Sequence, residues 1–323
     1  DERTYWQMDF PPHGKEARGQ NEKQLVDDFE RVLYDAVKRR LRADVPVASY
    51  LSGGVDSSTV VAMAKDILGR APATFTVKIR DPKLDETEQA AIISKHLSAD
   101  PYIVPCGSDD IVANYQKLLV ATEAPVTDTS CTALMMLAGK VHETGFKVAL
   151  TGEGSDEWLA GYPWYKFDRI NEWSGKATAG LLPPIVQKSF YRWLGCSDEA
   201  IAYLERSAKS AGGMHPFQRF YDLLGPSRFR FYSDNMFANL GDHDPYAAIE
   251  PDTSRARTWH PVNRAVYWAG KIHLPGQLLS LKGDRIAMSQ SVEMRYPFLD
   301  NNVFDFLSGI DPKWKLKGLT EKY

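Results

Sequence analysis

Cysteine is scarce. Cys106, Cys131 and Cys196 are the three in 323 residues, and no C-x-x-C occurs. That count argues against a disulfide scaffold or a zinc ribbon and makes a reducing cytoplasm the natural setting. Seven histidines are scattered, with no H-E-x-x-H and no pair at helical spacing facing one metal. Long apolar runs are also missing, the longest reaching about half a dozen residues against the roughly 20 of a membrane span. Asp1–Phe10 carries charges where a secretory leader needs an apolar run. Neither sign of charge dominates: the net charge of −3 argues against broad capture of nucleic acid. No internal repeat or Gly/Ser linker divides the chain. What is left, 43% hydrophobic and 25% charged, is an ordinary globular composition for one large domain or two.

Periodicity gives the elements. Leu25, Phe29, Val32, Leu33, Ala36 and Val37 recur at spacings of three and four, a helix ending in Lys38, Arg39, Arg40 and Arg42, cations that suit the negative end of its dipole, with a basic binding patch as the alternative. Val45–Leu51 reads as a buried strand, and Val60, Val61, Ala64, Ile67 and Leu68 as a helix face closed by Gly69 and Pro72. Thr74–Ile79, Tyr102–Val104 and Lys147–Leu150 read as strands, and Glu86–Leu97, Ile111–Thr122 and Cys131–Glu143 as helices. This alternation predicts an α/β fold, a parallel sheet with right-handed crossovers and helices on both faces. From Gly161 no comparable strand is expected; a mostly helical portion follows, so the expected division is 1–160 and 161–323. Trp6, Trp158, Trp164, Trp259 and Trp268 read as packing residues.

Two glycine-rich segments fall at strand ends, where such sheets bind ligands. Ser52-Gly53-Gly54-Val55-Asp56-Ser57-Ser58 joins a strand to a helix. Its glycines allow tight backbone approach, and the helix start offers free amides and a positive dipole to phosphate. It lacks the lysine of a Walker loop and is not G-x-G-x-x-G. A carboxylate among phosphate donors implies a cation between them, so Asp56 points to Mg²⁺; helix capping by Asp56 or a serine is the plain alternative. Thr151-Gly152-Glu153-Gly154-Ser155-Asp156-Glu157 repeats the logic, with Asp156 as a second metal carboxylate. A third segment runs from Lys282 through Asp284 and Arg285 to Glu293 and Asp300. There Lys282 and Arg285 could meet phosphates, or the stretch could be a helix ending before Pro297 with a buried Glu293–Arg295 pair.

With these three segments in this order, the chain resembles the synthetase domain of glutamine-dependent asparagine synthetases, in the PP-loop ATP pyrophosphatase superfamily. Gly161-Tyr162 and Glu123-Ala124-Pro125 with Asp128 and Ser130 extend the likeness. β-Lactam synthetases and lasso-peptide cyclases share the domain. The resemblance implies ATP and Mg²⁺ as cofactors, and ligation through an acyl-adenylate to an amide, AMP and pyrophosphate. It implies that residues 1–160 bind ATP; that Tyr50, Leu51, Ser52, Gly53, Gly54, Asp56, Ser57, Ser58, Val77, Thr151 and Gly152 contact the nucleotide; and that Asp56 and Asp156 hold metal. Glu153 matches a glutamate associated with ammonia attack, where β-lactam synthetases carry tyrosine.

The implied partners are a small carboxylate, aspartate favoured, with ammonia or an amine, a glutaminase domain or subunit, and a second copy of the chain; neither nucleic acid nor a membrane is expected. Three departures stand out. No cysteine precedes Cys106, so glutamine hydrolysis is not expected within these residues. Gln277 stands where many asparagine synthetases carry an acid. The family's Arg-x-Lys beyond the third segment has no counterpart in Lys315, Lys317 or Lys322. Alternatives are a natural-product amide synthetase or lasso-peptide cyclase, a tRNA-modifying relative, and a nucleotide-binding subunit without turnover.

Overall fold

The computed structural model describes residues 2–17, 19–126, 128–166, 188–189, 192–193, 197–210, 231–241, 243 and 253–323. The chain divides into two compact units, Gly19–Ser155 with Gly270–Leu307, and Asp1–Arg18 with Asp156–Ala269 and Ser308–Tyr323.

The first of these is the α/β assembly. Helix α1 (Glu22–Arg40) starts at Asn21, whose side chain accepts from the amides of Lys23 and Gln24, and it buries Leu25, Leu33, Ala36 and Val37. Then come β1 (Val47–Tyr50), α2 (Val55–Leu68), β2 (Thr74–Ile79), α3 (Thr87–Leu97), β3 (Pro101–Cys106), α4 (Ser108–Thr122), α5 (Ser130–Glu143) and β4 (Val148–Leu150). With β5 (Glu293–Arg295) the strands lie in the order β3-β2-β1-β4-β5, every neighbouring pair parallel.

Strand β5 is a correction to the sequence reading, which expected no strand after Gly161 and allowed a helix before Pro297. Three residues are too few to display an alternating pattern, and their pairing with Val148–Leu150 is what makes them a strand. The Glu293–Arg295 pair is likewise not buried, Glu293 being 56% exposed. Strand β3 is longer than expected because it is an edge strand, where Pro101 and Pro105 are tolerated.

Successive residues face opposite ways. Ala48, Phe75, Val104, Ala149 and Met294 pack against Leu137, Ala138 and Val141 of α5 and against Ala287 of the helix Arg285–Ser289. On the other side Leu51 packs with Val61 of α2 and with Ala90 and Leu97 of α3. A parallel sheet needs both faces covered, and this one has them. Strand order reverses between β1 and β4, so the crevice at their carboxyl ends is the switch point where such sheets take ligands.

The described part of the second unit is helical and aromatic. It contains helices Asp198–Ser210, Asp234–Leu240 and Pro261–Trp268 and a small hairpin of Leu316–Lys317 with Thr320–Glu321. Trp158, Trp164, Trp259 and Trp268 are buried, whereas Trp6 is exposed. Phe10 meets Trp259 edge-on at 5.1 Å. No helix among the described residues is long and apolar enough to cross a membrane.

Candidate active site

Strands β1 and β4 run side by side, Val47 opposite Val148 and Ser49 opposite Leu150, so the segments leaving their carboxyl ends are neighbours. Gly53 turns the first segment at φ +84°, and a Cβ there would lie 2.6 Å from the amide nitrogen of Ala90. The loop is thus pressed onto α3, and only glycine fits. The Ser52 amide donates to Ser57 Oγ and the Gly54 amide to Ser52 Oγ, both at 3.2 Å, which closes the turn.

Helix α2 takes Gly54 as its N-cap and has no side-chain capping bond. The capping account of Asp56 and the serines therefore does not hold, and the first-turn amides suit an anion. Ser58 Oγ, buried, has no hydrogen-bond partner among the described residues, an orphan that a phosphate oxygen would satisfy.

The second segment closes on the first. A Cβ on Gly152 would lie 2.9 Å from Ser57 N and 3.0 Å from Asp56 Cβ. Ser155 Oγ donates to Asp56 Oδ1 at 2.8 Å, joining residues 99 positions apart. Leu51 is buried, and Thr76 Oγ1 donates to its carbonyl at 2.7 Å. Val77 follows in β2, opposite Val104. The Thr151 amide donates to the Arg295 carbonyl at 3.1 Å, and the Glu153 amide to Thr151 Oγ1 at 3.4 Å. Tyr50 ends β1, and burial pushes its phenol well above the ordinary range, keeping it neutral. The bonds of Ser155 to Asp56 and of Thr76 to Leu51 escaped the sequence reading because a hydroxyl inside a loop or strand carries no signal until its partner is in place.

The third segment lies in the same unit. Lys282 Nζ pairs with Asp128 at 3.2 Å, and Arg285 donates to the Thr122 carbonyl. Both cations are therefore engaged by groups of the fold. Burial would raise the Asp128 carboxyl, but Ser130 and Lys282 outweigh it and hold the pKa below the usual value. Gln277 bonds His273, whose pKa is pushed down to about 4 by burial and then by Lys282. Tyr296 Oη donates to Asp284 Oδ1 at 2.8 Å. Tyr50, Thr151, Glu153, Lys282 and Tyr296 line a cavity of about 20 Å³.

Asp156, next after Ser155, belongs to the second unit. Its Oδ1 lies 2.8 Å from Lys322 Nζ, and the pair rests on Gly161, where a Cβ would come 2.0 Å from that oxygen. No group of three or more His, Cys, Asp or Glu suited to a metal occurs among the described residues. Mg²⁺ needs no such cage, since it takes one or two carboxylates and completes its shell with phosphate oxygens and water. Asp56, in the first turn of α2, fits that use.

The chain is similar to several known proteins. The amidase chyE of Penicillium rubens is 30% identical, over 100% of this chain and 51% of its own length. The glutamine-hydrolysing asparagine synthetase 1 of Bacillus subtilis is 28% identical, over 99% of this chain and 48% of its own. The chain thus spans about half the length of these curated relatives. Among solved structures, an NH3-dependent NAD synthetase from Campylobacter jejuni is similar at TM-score 0.31 and 13% identity, covering 72% of this chain and 96% of that one. Residues 28–323, both glycine segments and β5 among them, match the family described as asparagine synthase, and the chain belongs to that family.

Proposed function

We propose that the chain uses ATP to adenylate a small carboxylic acid and passes the acyl group to ammonia or an amine. The observation that carries this reading is the meeting of two glycine segments at the sheet's switch point, sealed by Ser155 on Asp56. Membership of a family that uses ATP supports it. A free carboxylate is a poor electrophile. In the first step its oxygen attacks the α-phosphorus, the bond to the bridging oxygen breaks, and pyrophosphate leaves with the electron pair. In the second a nitrogen attacks the acyl carbon, AMP leaves, and the nitrogen gives up a proton.

On this reading the amides and hydroxyls of Ser52–Ser58 hold the pyrophosphate, while Tyr50, Leu51, Val77, Thr151 and Gly152 contact the nucleotide. Glu153 stands where the nitrogen attacks. Asp56 and Asp156 would hold Mg²⁺, which neutralises charge on the departing pyrophosphate. Asparagine synthesis from aspartate is the simplest form, with ammonia from a glutaminase domain or subunit, in the cytoplasm. A natural-product amide synthesis is the second form. It is favoured by Gln277, bonded to His273 where many asparagine synthetases carry an acid, and by an amidase of 30% identity beside a synthetase of 28%.

Carboxylate-dependent ATP–pyrophosphate exchange tests the reading, with aspartate screened against other acids. Exchange with aspartate selects the first form and exchange only with another acid the second. Asp56→Asn should lower exchange by about 100-fold or more through loss of transition-state charge stabilisation. Wild-type exchange in that variant would remove Asp56 from the site, and nucleotide binding without exchange by any acid would replace the ligase with an inert subunit.

A further inference from the structure

Beside Glu153 lies a cavity whose size and walls say what it can admit. Its volume is about 20 Å³, and it is lined by Tyr50, Glu153, Lys282, Gly283 and Tyr296 together with the apolar Ile286 and Met294. That is room for roughly one water-sized guest, since a water needs about 10–15 Å³. An amino-acid acyl donor is far larger than that space. Ammonia is water-sized and its N–H groups suit a carboxylate wall. The Lys282 ammonium is turned to Asp128 at 3.2 Å, so it does not impose a uniformly cationic wall.

One wall of the cavity is the side chain of Tyr296. The phenol of Tyr296 donates to Asp284 Oδ1 at 2.8 Å. Its tip rests on the bare face of Gly283, where a Cβ would lie 2.4 Å from Tyr296 Oη. Tyr296 is half-buried and packs on the sheet core. Burial, then the Asp284 and Glu153 carboxylates, push its phenol far above the usual range, so it remains a neutral donor to Asp284.

Resting on the ligase reading, we propose that Tyr296, braced by Asp284 and Gly283, determines nucleophile size, closing the space beside Glu153 to amines larger than ammonia. In the step concerned, nitrogen bonds to the acyl carbon as the bond to AMP breaks, and the departing proton leaves from the nitrogen. A phenol that reaches Asp284 leaves no volume for a methyl group on that nitrogen.

The test uses the intact protein, MgATP, and aspartate or whichever acid supports exchange, with ammonium and methylammonium competing as acceptors. Tyr296→Ala should raise the methylamide-to-amide ratio by about 10-fold or more, the value of one methyl group in a pocket. Tyr296→Phe keeps the ring and should change the ratio far less. The rate with ammonia should fall less than the ratio rises. An unchanged ratio in a Tyr296→Ala protein that still exchanges pyrophosphate overturns the size filter and leaves the ligase standing. If that variant does not melt cooperatively, Tyr296→Val carries the same comparison. Absence of exchange with every acid in the wild type overturns both readings.

Discussion

A methyl group at Gly152 would lie 2.9 Å from the Ser57 amide nitrogen, a backbone atom that cannot swing aside, and 3.0 Å from Asp56 Cβ. Gly152→Ala should therefore force the two segments apart. The expected cost is about 1–3 kcal/mol of stability from overpacking, with a much larger proportional loss of ATP–pyrophosphate exchange. Melting and exchange measured on one preparation would separate the two, and unaltered exchange would mean that the close approach has no part in the chemistry. Ser155→Ala is the milder case, removing the 2.8 Å donor to Asp56. It should cost about 0.5–1.5 kcal/mol and raise the Mg²⁺ concentration needed for half-maximal exchange. A Mg²⁺ requirement equal to wild type would show that Ser155 does not orient Asp56.

At the scale of elements, Asp300 ties two helices together. It accepts from the Asn302 amide at the start of the helix Asn301–Gly309 and pairs with Arg39 at 2.9 Å and Arg40 at 2.6 Å in the last turn of α1. Arg295 adds a link by donating to the carbonyls of Arg40 and Arg42. Burial alone would raise the Asp300 carboxyl, but Arg40, the Asn302 amide and Arg39 together hold it below its usual value. The unfolded chain then binds the proton more readily. The contribution is fully present above the unfolded pKa, near 3.9, and is lost as pH falls through the lower folded value. Asp300→Asn should destabilise at neutral pH by about 1–3 kcal/mol, with the deficit shrinking toward pH 3 in chemical denaturation. A deficit independent of pH would rule out the ion pairs as its source.

Much at this scale was readable from the chain. The alternation from Val45 to Leu150 gave four of the sheet's strands and their helices, because period and glycine placement are local properties. Strand β5 was not readable, since a three-residue strand is defined by its neighbour β4. The same holds for the partners of Lys282 and Arg285, since neither Asp128 nor the Thr122 carbonyl is near them in the chain.

At the scale of the whole molecule, Lys315 in the second unit couples stability to pH in the neutral-to-alkaline range. It is fully buried, donates to Asn263 Oδ1 at 2.9 Å, and lies 5.3 Å from the Phe10 ring centre. Burial pushes its pKa down to about 7, with Glu16 opposing. An unfolded lysine titrates near 10.4, so between the two values the unfolded chain carries more protons and stability rises with pH. Lys315→Met should flatten that rise, as read from melts at about pH 7 and about pH 9.5. Parallel slopes in variant and wild type would place the titrating group elsewhere.

The sequence by itself determined the class of fold, the two glycine segments and the acidic residues in them, because turn chemistry and hydrophobic period are written within a few neighbouring positions. Only the tertiary structure decided which of those residues meet. It laid β1 against β4, brought Ser155 to Asp56 and turned Lys282 to Asp128. It also set Tyr296 on Gly283 beside Glu153. Each of these contacts follows from strand order and register, which fix distances between positions far apart in the chain and leave no trace in any short stretch of it.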